Sequence, residues 1–196
     1  MAGGAGGGKF ISILAARRFM VRGMSEEIFD VVDDRDAVTG QNTRGEVHRL
    51  GLKHRAVHVL VFNARGAVFL QKRSMKKDSS AGKWDSSSSG HVDAGEAYDA
   101  CAVRELREEL GLVLPAAAAR PLARLFKLDA RPETGWEFCW VYRTEAEGPF
   151  ALHPEEIESG GWFAPETVTS WVAETPEDFA SAFVLVWRIF VKSLSV

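Results

Sequence analysis

The chain has 196 residues, 46% of them hydrophobic, and a formal net charge of −3 at pH 7, which together suit a single domain with one buried core. It has no long basic run, which argues against a nucleic acid polymer as the main partner, and no apolar run of the roughly 18 residues that a membrane-spanning helix requires. Its only two cysteines, Cys101 and Cys139, are too few for a disulfide framework and favour a reducing, cytoplasmic setting.

Residues 1–23 predict a flexible tail that precedes a single domain of residues 24–196. The tail is rich in glycine and carries only basic charges. Its apolar run is too short for a secretory signal peptide, so a disordered extension is the favoured interpretation. A mitochondrial-type targeting helix is the alternative, because arginines occur here without any acidic residue.

The first half of the domain predicts strands and one short helix. Apolar, β-branched runs indicate strands, and a glycine after a short amphipathic run indicates the end of a helix. The interval between the last of these strands and the next helix is polar and predicts irregular structure. The predicted elements are a strand at 27–33, a helix at 43–52, strands at 56–63 and 67–73 joined by a turn, and the irregular segment at 74–89.

The second half begins with the strongest predicted helix, at 97–110. Its apolar residues recur at spacings of three and four, which predicts a buried stripe of Ala102, Val103, Leu106 and Leu110. Strands are predicted at 121–129, 135–146 and 157–163, and a last helix at 175–194, starting at Thr175 and Pro176. Strands mixed with a few helices, without strict alternation, favour an α+β or α/β/α sandwich.

The predicted helix at 97–110 carries three carboxylates on one face. Glu105, Glu108 and Glu109 stand at i, i+3 and i+4, where like charges repel unless something compensates them. Arg104 relieves part of this repulsion. An ordinary solvated helix face is one interpretation, and a site for the hard cations Mg²⁺ or Mn²⁺, which prefer several carboxylate oxygens, is the other.

The residues upstream decide between these interpretations. Gly90 is followed after five residues by Glu96, and after seven more by the run Arg104 to Leu112. This spacing resembles the Nudix signature, G-x5-E-x7-R-E-U-x-E-E-x-G-U with U bulky and apolar, at every defined position. The resemblance implies an α/β fold, the Nudix α/β/α sandwich with a mixed β-sheet, over about residues 26–194. It also implies an enzyme, a pyrophosphohydrolase that cleaves a diphosphate linkage in a small molecule of the nucleoside-diphosphate-X type.

The Nudix resemblance also implies roles for individual residues. Glu105, Glu108 and Glu109 would bind Mg²⁺ or Mn²⁺ with the carbonyl oxygen of Gly90, and Glu96 would support the site through water or Arg104. The metal would lower the pKa of a bound water, which attacks phosphorus while a carboxylate accepts its proton. The candidates for this catalytic base are Glu108, within the signature, and the later acids Glu156 and Glu158.

A second, finer resemblance covers residues 54–91. This stretch is similar to type I isopentenyl diphosphate isomerases, which share the Nudix fold. The resemblance implies a metal bound by His54, His91 and two acids, Glu156 and Glu158. It further implies that Arg73 and Lys77 bind the diphosphate. Arg104, within the signature, and Ser89 are further candidates for substrate binding.

Ser89 stands where those isomerases carry a cysteine that transfers protons. A serine hydroxyl without an activating base is too weak an acid to replace a thiol. This substitution and the complete set of signature acids both favour hydrolysis over isomerisation. The alternatives are an isomerase-like activity and a Nudix domain that binds a nucleotide without catalysis. The expected partner is a small diphosphate, with no nucleic acid and no membrane, and the chain is expected to form a homodimer. Four tryptophans are candidates for stacking on an aromatic part of the substrate: Trp84, Trp136, Trp140 and Trp162.

Overall fold

A computed structural model describes residues 26–115 and 122–194. The predicted tail at 1–23 lies outside these residues. The strands are β1 (Ile28–Val32), β2 (Val38–Thr43), β3 (His54–Phe62), β4 (Val68–Arg73), β5 (Trp84–Asp85), β6 (Ser88–His91), β7 (Ala123–Leu128), β8 (Glu137–Glu145) and β9 (Ile157–Phe163). The helices are α1 (Arg44–Leu50), α2 (Tyr98–Leu110), α3 (Pro165–Glu174) and α4 (Ser181–Ser193).

The main sheet is mixed and contains seven strands. Its central path runs β5-β4-β3-β8-β7, while β6 pairs with β3 and β9 pairs with β4. The pairing of β3 with β8 is parallel, and the other pairings are antiparallel. Strands β1 and β2 form a separate antiparallel ribbon that contacts β3.

The alternation of side chains along β3 divides the core into two layers. Val57, Val59 and Val61 pack with the buried stripe of α2. Leu60 and Phe62 point to the opposite face, where they pack with α3 and α4. Because side chains alternate across a strand, one apolar strand serves both layers, and the predicted α/β/α sandwich with a mixed sheet is confirmed. No helix within the described residues is both long and apolar enough to cross a membrane.

The structure corrects several predicted elements. The segment 74–89 is not wholly irregular, because β5 and the start of β6 lie within it. The last helix begins at Ser181 and not at Thr175, since Phe179 and Ala180 are extended and separate it from a short 3-10 turn. Strand β2 and helix α3 were not predicted, because their short polar or mixed sequences carry weak periodicity.

Helix α2 also differs from its prediction in one position of the buried stripe. Val103 is exposed, and Cys101 is fully buried in its place. Ala102, Leu106 and Leu110 are buried as predicted. At about 100° per residue, Cys101 lies on the side of the helix that carries the buried Glu105 and Glu109, whereas Val103 lies beyond the other edge of the buried stripe.

Candidate active site

The carboxylates of α2 face the strand that leads into the helix. Glu105 and Glu109 are buried, whereas Glu108 is partly exposed. Glu109 Oε2 accepts hydrogen bonds from the backbone N–H of Ser89, at 3.0 Å, and from Gln71 Nε2, at 3.2 Å. A Cβ at position 90 would overlap with the Glu105 carboxylate, so only glycine allows this approach. We call Glu105, Glu108 and Glu109 the acidic centre.

Burial makes the acidic centre costly to ionise. Desolvation raises the pKa of Glu105, and the nearby charge of Glu109 raises it further. Desolvation also raises the pKa of Glu109 despite the hydrogen bonds it accepts. Buried carboxylates that repel each other are relieved by a bound cation, so these residues fit the divalent metal that the Nudix resemblance implies.

Arg104 connects the acidic centre to the rest of the signature. Its guanidinium donates to both carboxylate oxygens of Glu96 at 2.9 Å, to Glu105 at 2.6 Å and to Glu108 at 3.2 Å. It also donates to the backbone carbonyl of His91 at 3.0 Å. The predicted contact between Glu96 and Arg104 is therefore present. With its donors used in this way, Arg104 orients the carboxylates, and its role in substrate binding stays a prediction.

A second cluster of metal-binding residue types lies beside Gly90. It consists of His48, His54, His91 and Glu137, whose potential ligand atoms all lie within 4.8 Å of one another. Glu137 Oε1 is 3.0 Å from His91 Nε2 and 3.6 Å from His54 Nε2. We call this group the histidine centre.

The sheet and α1 assemble the histidine centre. Glu137 on β8 is the direct register partner of His54 on the parallel strand β3. His91 on β6 lies opposite Ala56, two residues further along β3. His48 comes from α1, and its ring lies 5.2 Å from that of His54 and 5.0 Å from that of His91. Residues from four different elements therefore meet at one point.

The protonation states of the histidine centre suit a cation. His54 Nδ1 lies 2.9 Å from the carbonyl oxygen of Leu52, which can only accept, so Nδ1 is the donor in this hydrogen bond. The Nε2 atom of His54 is buried and has no hydrogen-bond partner among the described residues. Burial and the neighbouring His91 and His54 lower the pKa of His48 to about 4, which leaves its imidazole neutral at pH 7.

Glu137 completes the ligand set as a carboxylate. Burial opposes its ionisation, but the adjacent His54 and His91 imidazoles hold its pKa well below the usual range. Phe29 stacks against both of these imidazoles, with ring centroids 5.7 Å and 4.7 Å away, and so restricts their orientation. Imidazoles with one carboxylate are ligands typical of zinc and related transition metals. These residues fit the metal that the isomerase resemblance implies.

Glu156 and Glu158, the two acids predicted to join His54 and His91, are not part of this cluster. Glu156 pairs with Lys77, and Glu158 lies 3.5 Å from Lys72. Glu158 lies on β9, which Glu156 directly precedes, and β9 pairs with β4 on the other side of β3 from β8. The acid that lies with His54 and His91 is Glu137, and neither Glu137 nor His48 was predicted from the sequence. An acid at the start of an otherwise apolar strand was the signal available in the sequence.

A cavity of about 550 Å³ opens next to the histidine centre. Arg73 and Lys77 line it, as predicted for diphosphate-binding cations, but each is paired with a carboxylate of the protein: Arg73 with Asp85 at 3.2 Å, and Lys77 with Glu156. Ser89 also lines the cavity.

The tryptophans divide between this cavity and the core. Trp136 lines the cavity and is partly exposed, so it can contact a ligand there. Trp84 packs against the core layer of α3 and α4, and Trp140 and Trp162 pack against the layer of α2. Among the four candidates for stacking, Trp136 alone lines the cavity.

Comparison with known proteins identifies the family. Residues 52–183 match the sequence profile of the NUDIX domain family. The chain belongs to the Nudix family. An uncharacterised Nudix hydrolase of Yersinia pestis is 33% identical over 81% of this chain and 85% of its own length. An isopentenyl-diphosphate Delta-isomerase of Serratia proteamaculans is 31% identical over 83% of this chain and 90% of its own length.

A solved structure agrees with this membership. A crystal structure of a protein from Deinococcus radiodurans superposes with a TM-score of 0.72, at 27% identity over 83% of this chain and 98% of that chain. The matched Nudix domain includes the whole acidic centre and three members of the histidine centre. His48 lies before it, so the segment preceding the matched domain supplies the fourth member.

Proposed function

We propose that the chain is a divalent-metal-dependent Nudix pyrophosphohydrolase that cleaves a small-molecule diphosphate of the nucleoside-diphosphate-X type. The observation that carries this proposal is the complete acidic centre on one face of α2, with Glu105 against Gly90, Glu105 and Glu108 bonded to Arg104, and Glu109 bonded to the Ser89 backbone. A domain that had lost catalysis would have no need to keep three mutually repelling carboxylates in this arrangement.

In this proposal Glu105, Glu108 and Glu109 hold Mg²⁺ or Mn²⁺ with the Gly90 carbonyl oxygen, while Glu96 supports them through Arg104. His48, His54, His91 and Glu137 hold a second cation. Bound divalent cations neutralise phosphoryl charge and lower the pKa of a coordinated water. Glu108 is the favoured proton acceptor because it is the most exposed member of the acidic centre. Glu156 and Glu158 remain alternatives for this role.

The cations of the cavity bind the diphosphate in this proposal. Arg73 and Lys77 exchange their contacts with Asp85 and Glu156 for phosphate oxygens, which are the preferred partners of a guanidinium and an ammonium group. Ser89 contributes a hydroxyl from the adjoining strand. The low cysteine content supports a cytoplasmic setting, and we further propose a homodimer, with neither nucleic acid nor membrane as a partner.

A second candidate function is an isomerase acting on isopentenyl diphosphate. The histidine centre favours it, because that centre matches the metal site which the isomerase resemblance implies. Ser89 disfavours it, because the proton-carrying thiol is replaced by a hydroxyl. A nucleotide-binding domain without catalysis is the third candidate, and the intact acidic centre disfavours it.

An assay of a diphosphate panel separates these candidates. The wild-type chain should hydrolyse at least one nucleoside diphosphate derivative in Mg²⁺ or Mn²⁺, and Glu108→Gln and Glu109→Gln should each lower this turnover by about 100-fold or more. Glu145→Gln is the matched control, since Glu145 is exposed at the far end of β8 and, within residues 26–115 and 122–194, forms an ion pair with Arg143 alone. No turnover of any diphosphate by the wild type would refute the hydrolase proposal, and double-bond migration in isopentenyl diphosphate would establish the isomerase.

A further inference from the structure

The cavity has a polar floor made of His58 and Ser89, which belong to neither the acidic centre nor the histidine centre, although a ring nitrogen of His58 lies within 4.8 Å of a carboxylate oxygen of Glu137 and of Cys139 Sγ. His58 on β3 is buried and is the direct register partner of Ser89 on the antiparallel strand β6. Residues opposite each other in an antiparallel pair project to the same face with Cβ atoms about 5 Å apart. Both line the cavity, so an imidazole and a hydroxyl lie side by side there.

Contacts at Nδ1 orient the His58 ring. Nδ1 lies 2.9 Å from the buried Ser86 Oγ and 3.8 Å from Asp85 Oδ1. Asp85 is itself held by the Ser86 backbone N–H, from which it accepts a hydrogen bond at 2.7 Å. A ring that lines the cavity and is oriented through Nδ1 is arranged to contact a ligand there.

The polar floor discriminates between organic groups. A hydrocarbon lying over His58 and Ser89 would remove both from water without replacing their hydrogen bonds. An unsatisfied buried polar group weakens binding by about tenfold or more. A hydroxylated group satisfies them, and sites built to hydrogen-bond a hydroxyl reject analogues that lack it strongly.

We propose that His58 and Ser89 form a hydrogen-bonding subsite that selects diphosphates with hydroxyl groups near the diphosphate, such as sugar derivatives, over hydrocarbon diphosphates. This inference rests on the proposed function insofar as the ligand is a diphosphate, and it names the chemical class of the attached group. A subsite of this kind also makes the cavity poorly suited to an isoprenoid chain.

Binding of two matched, non-hydrolysable ligands tests the subsite. The probes are the methylenediphosphonate monoesters of ribose, at its 5-position, and of isopentenol, which both carry five carbons and differ mainly in hydroxyl groups. In titration calorimetry with Mg²⁺, the wild type should bind the ribose probe at least about tenfold more tightly. His58→Leu should remove most of this preference by weakening only the ribose probe.

Two further variants and a control keep the test decisive. Ser89→Ala should reduce the preference by a smaller factor, and His58→Gln, which keeps a donor and an acceptor, should restore part of it. His153→Leu should leave both affinities unchanged, since His153 does not line the cavity. If His58→Leu does not fold, as judged by circular dichroism, the Ser89→Ala and His58→Gln results decide.

Equal affinity of the wild type for the two probes, or an equal loss for both in the variants, would overturn the proposal. The test needs no turnover, so it can fail or succeed independently of hydrolysis. A chain that prefers the ribose probe but hydrolyses no diphosphate would keep the subsite and lose the proposed function. A chain that hydrolyses diphosphates without this preference would do the reverse.

Discussion

The acidic centre and the histidine centre are adjacent, but the chain builds them in different ways. The acidic centre comes from one helix, α2, whose periodicity aligns its three glutamates. The histidine centre draws its members from α1, β3, β6 and β8, so it forms only when the sheet is assembled. A local motif can thus be recognised from spacing, whereas a site made by strand pairing depends on topology.

The two centres also differ in the metals they suit. The acidic centre offers only oxygen, which favours hard cations such as Mg²⁺. The histidine centre offers mainly imidazole nitrogen, which favours transition metals such as zinc or iron. Strand β6 joins them, since the Ser89 backbone N–H binds Glu109 while His91 belongs to the histidine centre. His48, His91 and Glu137 of the histidine centre line the cavity together with Gly90, whereas the three glutamates of the acidic centre are not among its lining residues.

Removing a carboxylate from the acidic centre should have the largest effect. We expect Glu109→Gln to lower kcat/KM by about 100-fold to 1000-fold, because the metal loses a ligand charge while the amide oxygen still accepts from Ser89. Steady-state kinetics with a diphosphate substrate measures this, with Glu145→Gln as the control. A loss of less than about threefold would show that the acidic centre does not carry the reaction.

Removing an imidazole from the histidine centre should have a smaller effect on the reaction and a clear effect on metal content. We expect His54→Ala to weaken binding of Zn²⁺ or Mn²⁺ to this centre by about tenfold to 100-fold or more. Metal analysis after dialysis, together with competition by a chelator, measures the change. His153→Ala is the matched control, because His153 belongs to neither centre. Unchanged metal content in His54→Ala would remove the histidine centre from the account.

The acidic centre should make the metal-free chain less stable as pH rises. The pKa values of Glu105 and Glu109 are raised above 4.5 by burial, so the folded state binds these protons more tightly than the unfolded state. Their contribution to the free energy of unfolding is full below pH 4.5 and is lost as pH rises through the raised values. We expect a loss of about 1 kcal/mol or more between about pH 5 and pH 8.

Comparing urea denaturation of the wild type and Glu109→Gln, both in chelator, isolates this contribution. The comparison cancels the opposite effect of His48, whose pKa is lowered to about 4 and which therefore stabilises the fold as pH rises through its unfolded value. The wild type should lose more stability than the variant, and Mg²⁺ should reduce the difference. Parallel curves for the two proteins would contradict the assignment.

The smallest effect is expected from the contact behind His58. Ser86→Ala removes the hydroxyl at Nδ1 but leaves Asp85 nearby, so we expect only a few-fold loss in affinity for hydroxylated diphosphates. Binding of the ribose and isopentenyl probes measures it. Ser193→Ala, on the last turn of α4, is the control, since Ser193 is exposed and its hydroxyl donates to the Phe190 carbonyl of its own helix. A complete loss of binding to both probes would mean that Ser86 supports the fold and not the subsite.

The sequence predicted the fold and the acidic centre because both depend on local patterns. Helix α2, the long strands and the mixed sandwich follow from periodicity and from the signature between Gly90 and Leu112. Glu137 could not be found in this way, since its proximity to His54 depends on the parallel pairing of β3 with β8, which are separated in the chain by β4 to β7 and α2. The same limit explains why Glu156 and Glu158, close in sequence to an aromatic strand, were chosen instead.

His58 illustrates the same limit for the substrate cavity. In the sequence it is one histidine in an apolar strand, for which a structural role is the ordinary expectation. Its register against Ser89 and its contact with Ser86 give it a second interpretation. The sequence shows no activating base near Ser89, whereas the structure places the His58 imidazole opposite it, on the neighbouring strand.

The most direct test of the central claim is hydrolysis in water enriched in ¹⁸O. The wild-type chain, a nucleoside diphosphate sugar and Mg²⁺ or Mn²⁺ are incubated, and the products are analysed by mass spectrometry. Our account predicts two phosphate monoesters, one of which carries a single ¹⁸O atom from the attacking water. The absence of labelled product across the diphosphate panel, or isomerisation of isopentenyl diphosphate without hydrolysis of any substrate, would contradict it.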